Sequence, residues 1–267
     1  MKNGYKSYVL LFIFFVSSII ACEKYYTTEY VPEYNPPEET VNPLDLTPRE
    51  NEEAEWAALY LSGEIVAPDS LYNHVLSGIY YLLERYSDSI PEAKIRFYYP
   101  TFKSDLDLAF TDSAKAKIRS GEYHAWDSLN TFYRVTEVDT VSLMNMFIAT
   151  LRFAGRLNPS LLCEKYSNLP GIWNVSPSFS QVGDGPKKYA KMKDGQLSFL
   201  IRNAWDDCQA GCMSSHYFYF RQSKAGMDYV GDWNPRITED SPTWWDEAYL
   251  AKQEYDQYFE YFCQSAR

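Results

Sequence analysis

The chain has 267 residues, with 25 Lys and Arg against 36 Asp and Glu, a formal net charge of −11. So acidic a protein excludes a nucleic-acid partner, because phosphate contacts need clustered cations, and it disfavours adsorption on anionic lipid. The length suffices for one large domain or two small ones. The 24 Tyr, 15 Phe and 7 Trp fit either sheets with half-buried tyrosines or an aromatic surface for sugars or peptides.

The N-terminus opens with Lys2 and Lys6 and no acid, and Tyr8 to Ile20 is then apolar except for Ser17 and Ser18. The run falls short of the roughly 20 residues of a membrane span. It fits a signal-peptide core of about 7–15 residues. It ends in Ile19-Ile20-Ala21-Cys22, which resembles a lipobox. That resemblance implies a signal peptide over 1–21, cleavage before Cys22 and a palmitate-type lipid anchor on its sulfur. Each buried CH₂ contributes about 0.8 kcal/mol, so two or more acyl chains hold a protein on a bilayer. Glu23-Lys24 directly after the cysteine resembles the surface-export signals of Bacteroidota lipoproteins. The expected location is therefore the outer membrane, facing the periplasm or the cell surface. Loss of Lys2 and Lys6 with the signal makes the mature chain two charges more negative, −13.

Residues 22–50 read as a flexible tether, since Val31-Pro32-Glu33-Tyr34-Asn35-Pro36-Pro37-Glu38-Glu39 cannot form a core. A single α+β domain is expected over 51–267. Glu52–Leu61 predicts a helix, and Asp69 or Ser70 is placed to cap a second, with Leu71, Val75, Ile79, Leu82, Leu83 and Tyr86 at helical spacing. Ala93–Tyr99 and Leu106–Phe110 predict strands. Asp112 or Ser113 opens a helix to Arg119, and Tyr123–Tyr133 predicts another. Tyr133–Val138 and Met146–Phe153 read as strands, Asn158-Pro159 as a helix start and Ile172–Val175 as a strand. Met146–Val175 is thus a β-α-β segment whose strands need not be adjacent. Lys188–Lys193 and Gln196–Asn203 flank the turn pair Asp194-Gly195, His216–Arg221 predicts a strand, and Asp240-Ser241-Pro242 opens a C-terminal helix over about 243–262. The expected architecture is a mainly antiparallel sheet with packed helices.

Cys163, Cys208, Cys212 and Cys263 remain once Cys22 carries lipid, an even number in an oxidising compartment. Cys208 and Cys212 form the expected local disulfide, with Cys163 and Cys263 either paired or free. The alternative is a metal site of Cys208, Cys212 and His216 with Asp206 or Asp207, although the spacing is not a usual zinc pattern. Trp205, Asp207, His216, Trp244 and Trp245 are the candidate ligand contacts. The bland reading of the tryptophans is packing on the sheet. His124 with Asp127 could form an acid-base pair. Asp246, Glu247, Glu254, Asp256 and Glu260 could pair as glycosidase carboxylates or form a solvated helix face. Gly183-Asp184-Gly185 is either a tight turn or a phosphate or calcium loop. No nucleophile elbow or zinc-protease helix motif accompanies any of these, and no cofactor is expected.

Asp207-Cys208-x-x-Gly211-Cys212 followed by His216-Tyr217-x-Tyr219-Phe220 resembles the C-terminal signature of a group of secreted and lipid-anchored bacterial proteins, many from Bacteroidota. Trp126-Asp127-x-Leu129-Asn130, Leu169-Pro170-Gly171-Ile172 and Gly183-Asp184-Gly185-Pro186 resemble the same group's upstream motifs. Those proteins more often have Gly-Asp-Cys-Pro where this chain has Asp206-Asp207-Cys208-Gln209. The resemblance brings no activity with it. The expected function is therefore a non-enzymatic, membrane-anchored lipoprotein that binds a protein or a glycan. The alternatives are a hydrolase using carboxylates or His124, and a metal-binding protein.

Overall fold

The computed structural model describes residues 48–97, 105–143, 146–177, 184–208 and 211–264. Cys22, the signal segment and the tether up to residue 47 lie outside the described residues. Among them are six α-helices and two four-stranded sheets, both antiparallel throughout. The chain is α+β, with its strands divided between two sheets, each with its own apolar core.

Two helices come first, α1 (Pro48–Ser62) and α2 (Asp69–Tyr86). Pro68 is the N-cap of α2 and gives no side-chain cap bond. Asp69 lies inside the first turn instead, where its charge suits the helix dipole. The expected strand at Ala93–Tyr99 is not formed. Pro91 sits at the start of a 3₁₀ turn, Pro91–Lys94, a position its fixed φ favours. Only Phe97 reaches strand geometry, in a single parallel bridge to Lys188; Tyr98 and Tyr99 lie outside the described residues.

The first sheet contains β1 (Leu106–Phe110), β2 (Val135–Leu143), β3 (Met146–Phe153) and β4 (Ile172–Pro177) in the order β2-β3-β1-β4. Between β1 and β2 come α3 (Asp112–Ser120) and the short α4 (Asp127–Phe132); between β3 and β4 comes α5 (Pro159–Ser167). Thr111 caps α3 by accepting from the Ala114 N–H, and Asn158 caps α5 by accepting from the Ser160 N–H. The β-α-β segment is real, but β1 lies between its two strands. This is the split β-α-β arrangement of ferredoxin-like topology. Leu106, Leu108, Phe110, Phe147, Ala149, Leu151 and Val175 face the helices and make the core with Leu162 and Tyr166.

The second sheet is a meander of β5 (Lys187–Lys193), β6 (Gln196–Trp205), β7 (Ser214–Ser223) and β8 (Gly226–Trp233), followed by α6 (Trp245–Gln264). Asp194 and Gly195 turn the first hairpin at φ of 51° and 75°. Both central residues of that turn need positive φ, which is why Gly follows Asp. Both faces of β6 are covered. Leu197 and Phe199 lie under Gly78 of α2. Leu200 and its neighbours Tyr189 and Tyr219 lie on the opposite side, where Tyr189 packs edge-on to Tyr255 of α6 and Tyr219 stacks on Trp244. A helix on each face makes three layers, so the strand reads as a continuous apolar run.

Two links join the layers of the two sheets. The Asn158 N–H donates to the Ile65 carbonyl at 2.9 Å, and its amide donates to Tyr258 Oη at 2.7 Å. Arg156 pairs with Glu55 and, at 3.5 Å, with Glu52 of α1.

Candidate functional site

The end of the second sheet where β6 turns into β7 carries most of the residues singled out from sequence. Asp206 and Asp207 take positive φ, 63° and 47°, which Asp tolerates better than most residues. Cys208 and Cys212 form a disulfide with their Cα atoms 4.0 Å apart. With both sulfurs joined, no thiolate is left to ligate metal. His216 is engaged elsewhere, its Nε2 lying 2.7 Å from Asp232 Oδ2. The metal reading of Cys208, Cys212 and His216 is therefore corrected to a structural cross-link. Cys163 carries a free thiol. The side chain of Cys263 lies outside the described residues.

Asp184 braces this loop. Its N–H donates to the Cys208 carbonyl at 2.8 Å, and its Oδ2 accepts from Arg202 Nη1 at 2.7 Å and from the Cys212 N–H at 3.4 Å. Lys187 Nζ lies 3.1 Å from its other oxygen. Burial alone would raise this carboxyl. Hydrogen bonds from Arg202, the Gly185 N–H and Lys187 outweigh it and hold Asp184 far below the ordinary carboxylate range. Asp184 is thus a brace of the disulfide loop; Gly183 lies outside the described residues. On the other side, Asp206 accepts from Ser214 Oγ at 2.6 Å, and Arg236 Nη2 donates to the Met213 carbonyl at 3.3 Å.

Around this cross-linked turn apolar side chains stand in solvent: Trp205 is 38 %, Met213 69 % and Ile237 81 % exposed. Trp205 pairs with Ser214 in the β6–β7 ladder, next to Met213, and Ile237 follows the Arg236 that holds Met213. Asp207 is exposed beside them.

The remaining candidates do not gather here. Alternation along β7 sends His216 to the α2 side of the sheet and Tyr217 to the α6 side. Trp245 packs edge-on to Tyr217 at 4.7 Å and to Trp233 at 4.4 Å, and Trp244 stacks on Tyr219 at 5.5 Å. Both tryptophans are half-buried in sheet packing, as in the plainer of the two readings. On the α2 side, Asp232 accepts from His216 and from Tyr229 Oη. Those two hydrogen bonds, Tyr229's first, lower the Asp232 carboxyl. An ionised Asp232 makes Nε2 the donor and leaves Nδ1 to accept. The array can orient a proton, but its neighbour across β6, Asn203, offers no nucleophile and is held by Glu92 at 3.2 Å.

The hydrolase candidates are scattered. His124 Nδ1 lies 2.8 Å from Asp127, both exposed at the start of α4. Of the α6 acids, Glu247 pairs with Arg221 at 2.7 Å, while Glu254 pairs with Lys191 and Asp256 with Lys252. The side chain of Glu260 lies outside the described residues. Sequence reasoning passed over Met213, Ile237, Tyr229 and Asp232. Each gains its place only through strand pairing or the loop after β8. Among the described residues no group of three His, Cys, Asp or Glu side chains is placed to hold a metal, and no helix is long and apolar enough to cross a membrane.

Comparison with protein-family models, with curated proteins and with solved structures finds no match.

Proposed function

We propose that this chain is a membrane-anchored lipoprotein, acylated at Cys22, whose α+β part binds a macromolecular partner in the outer envelope, on the periplasmic face or the cell surface. The anchor rests on the Ile19-Ile20-Ala21-Cys22 pattern and the Pro/Glu-rich stretch behind it. The binding reading rests on one observation: the disulfide-held tip that places Trp205, Met213 and Ile237 in solvent. Exposed apolar side chains beside a cross-linked turn are what binding surfaces offer. Met213 and Ile237 favour a protein over a glycan, since neither offers a ring on which a sugar could stack.

The test compares the intact protein with a Trp205→Ala/Met213→Ala/Ile237→Ala variant in cell-surface cross-linking and on a glycan array. One cross-linked partner lost in the variant, with the disulfide intact, supports the reading. Turnover of a defined substrate abolished by a single substitution at His124, His216 or an α6 acid would replace it with the hydrolase.

A further inference from the structure

The first sheet ends in a strand that no described residue covers. β2 is an edge, paired on one side with β3 and, among the described residues, with nothing on the other. Thr136 to Ser142 are exposed on both faces. The composition, Val-Thr-Glu-Val-Asp-Thr-Val, is rich in β-branched residues that favour extended backbone. Alternate residues of such a strand turn their N–H and C=O groups outward, a template for one more strand. The helices on this sheet stop short of it. Between the end of α4 and β2 lies an open groove of about 270 Å³, lined by Asn130, Thr131, Val135, Thr136, Glu137 and Val138. Phe132, the last residue of α4, is 76 % exposed. An edge strand beside a helix-walled groove is the arrangement in which an extended peptide is bound by strand addition, with alternate side chains entering the groove.

Charge specifies the occupant. On the face away from the helices, Glu137 and Asp139 are 54 % and 52 % exposed and share the single guanidinium of Arg152. Two copies paired antiparallel about the strand centre would set Asp139 against Asp139, or Glu137 against Asp139. Like charges directly opposite are destabilising, so these central registers do not suit a second copy of this chain. We propose that β2 binds an extended segment of a partner protein as an added strand, its basic side chains facing Glu137 and Asp139 and its apolar ones entering the groove beside Val138. This surface lies on a different sheet from the β6–β7 tip, and the inference stands or falls independently of that tip.

The probe is a short acetylated, amidated peptide that alternates lysine with valine, added to the intact protein in detergent. Fluorescence anisotropy should show binding, and amide hydrogen exchange should show new protection confined to β2. The Glu137→Lys/Asp139→Lys variant should weaken binding about tenfold. The same peptide N-methylated at alternate amides should not bind, a control that requires no change in the protein. Absence of binding, equal binding of the methylated peptide, indifference to the charge reversal, protection elsewhere, or a dimer formed through β2 would each overturn the proposal.

Discussion

Asp184 shows how much one side chain can hold. It joins Arg202 on β6, Lys187 on β5 and the backbone on both sides of the Cys208–Cys212 bridge. Its folded-state carboxyl is depressed, so the stability it contributes is fully present above the unfolded value of about 3.9 and is lost as pH falls through the lower folded value. Asp184→Asn should therefore lower the urea midpoint near neutral pH, and the gap to the wild type should begin to narrow below about pH 4. A gap independent of pH would show that the charge is not what braces the loop. Cys163 makes a second prediction. Burial, and then the charge of Glu164, push its thiol up to about 12. The thiolate is the reactive form, so iodoacetamide should label Cys163 in the unfolded chain and leave it unlabelled in the native protein at neutral pH.

Among the elements, α1 is fastened to the second sheet by a buried ion pair. Lys188 Nζ lies 2.8 Å from Glu53 Oε1, which also accepts from the Phe97 N–H at 3.0 Å, and both side chains are buried. Breaking such a pair from one side strands a charge, at a cost of about 3–5 kcal/mol, whereas replacing both partners with apolar groups is often neutral. Glu53→Gln should thus cost several-fold more stability in urea than Glu53→Leu/Lys188→Met, and equal costs would contradict this. α2 approaches β6 at Gly78, where an added Cβ would overlap Leu197 Cδ2. Gly78→Val should destabilise by about 1–3 kcal/mol through overpacking, measured by thermal melting. The elements legible in the sequence were those with local signals. Leu106–Phe110 and Met146–Phe153 appear with the expected bounds because each is rich in apolar residues over a strand's length. Asn158-Pro159 starts α5 because it caps and pre-sets φ. β8 was not legible: only Gly226 and Met227 of Gly226–Trp233 are buried, so its own pattern is weak and its pairing with β7 makes the strand. Ala93–Tyr99 misled because Ile95 and Phe97 alternate as in a strand, while Pro91 had already set a 3₁₀ turn.

At the scale of the molecule, the order of predicted helices and strands foretold α+β, and the structure adds that the strands form two antiparallel sheets. Division into two sheets was not legible because it depends on pairings across long separations, β1 entering between β3 and β4 above all. The Cys208–Cys212 bridge was legible from spacing and compartment. The residues that make its tip a surface were not, since Asp184 and Arg236 reach it from positions 28 and 23 residues away from the groups they contact. In the proposed function a folded α+β body, with the β6–β7 tip and the β2 edge as its two proposed binding features, is held to a membrane by a lipid at Cys22. The most direct test of that account is the intact mass of the protein purified from membranes of its native host. A chain beginning at Cys22 and carrying diacylglycerol is the predicted result, with Cys22→Ala moving the protein out of the membrane fraction. A chain that keeps Met1–Ala21, or one that begins elsewhere with Cys22 unmodified, would contradict it.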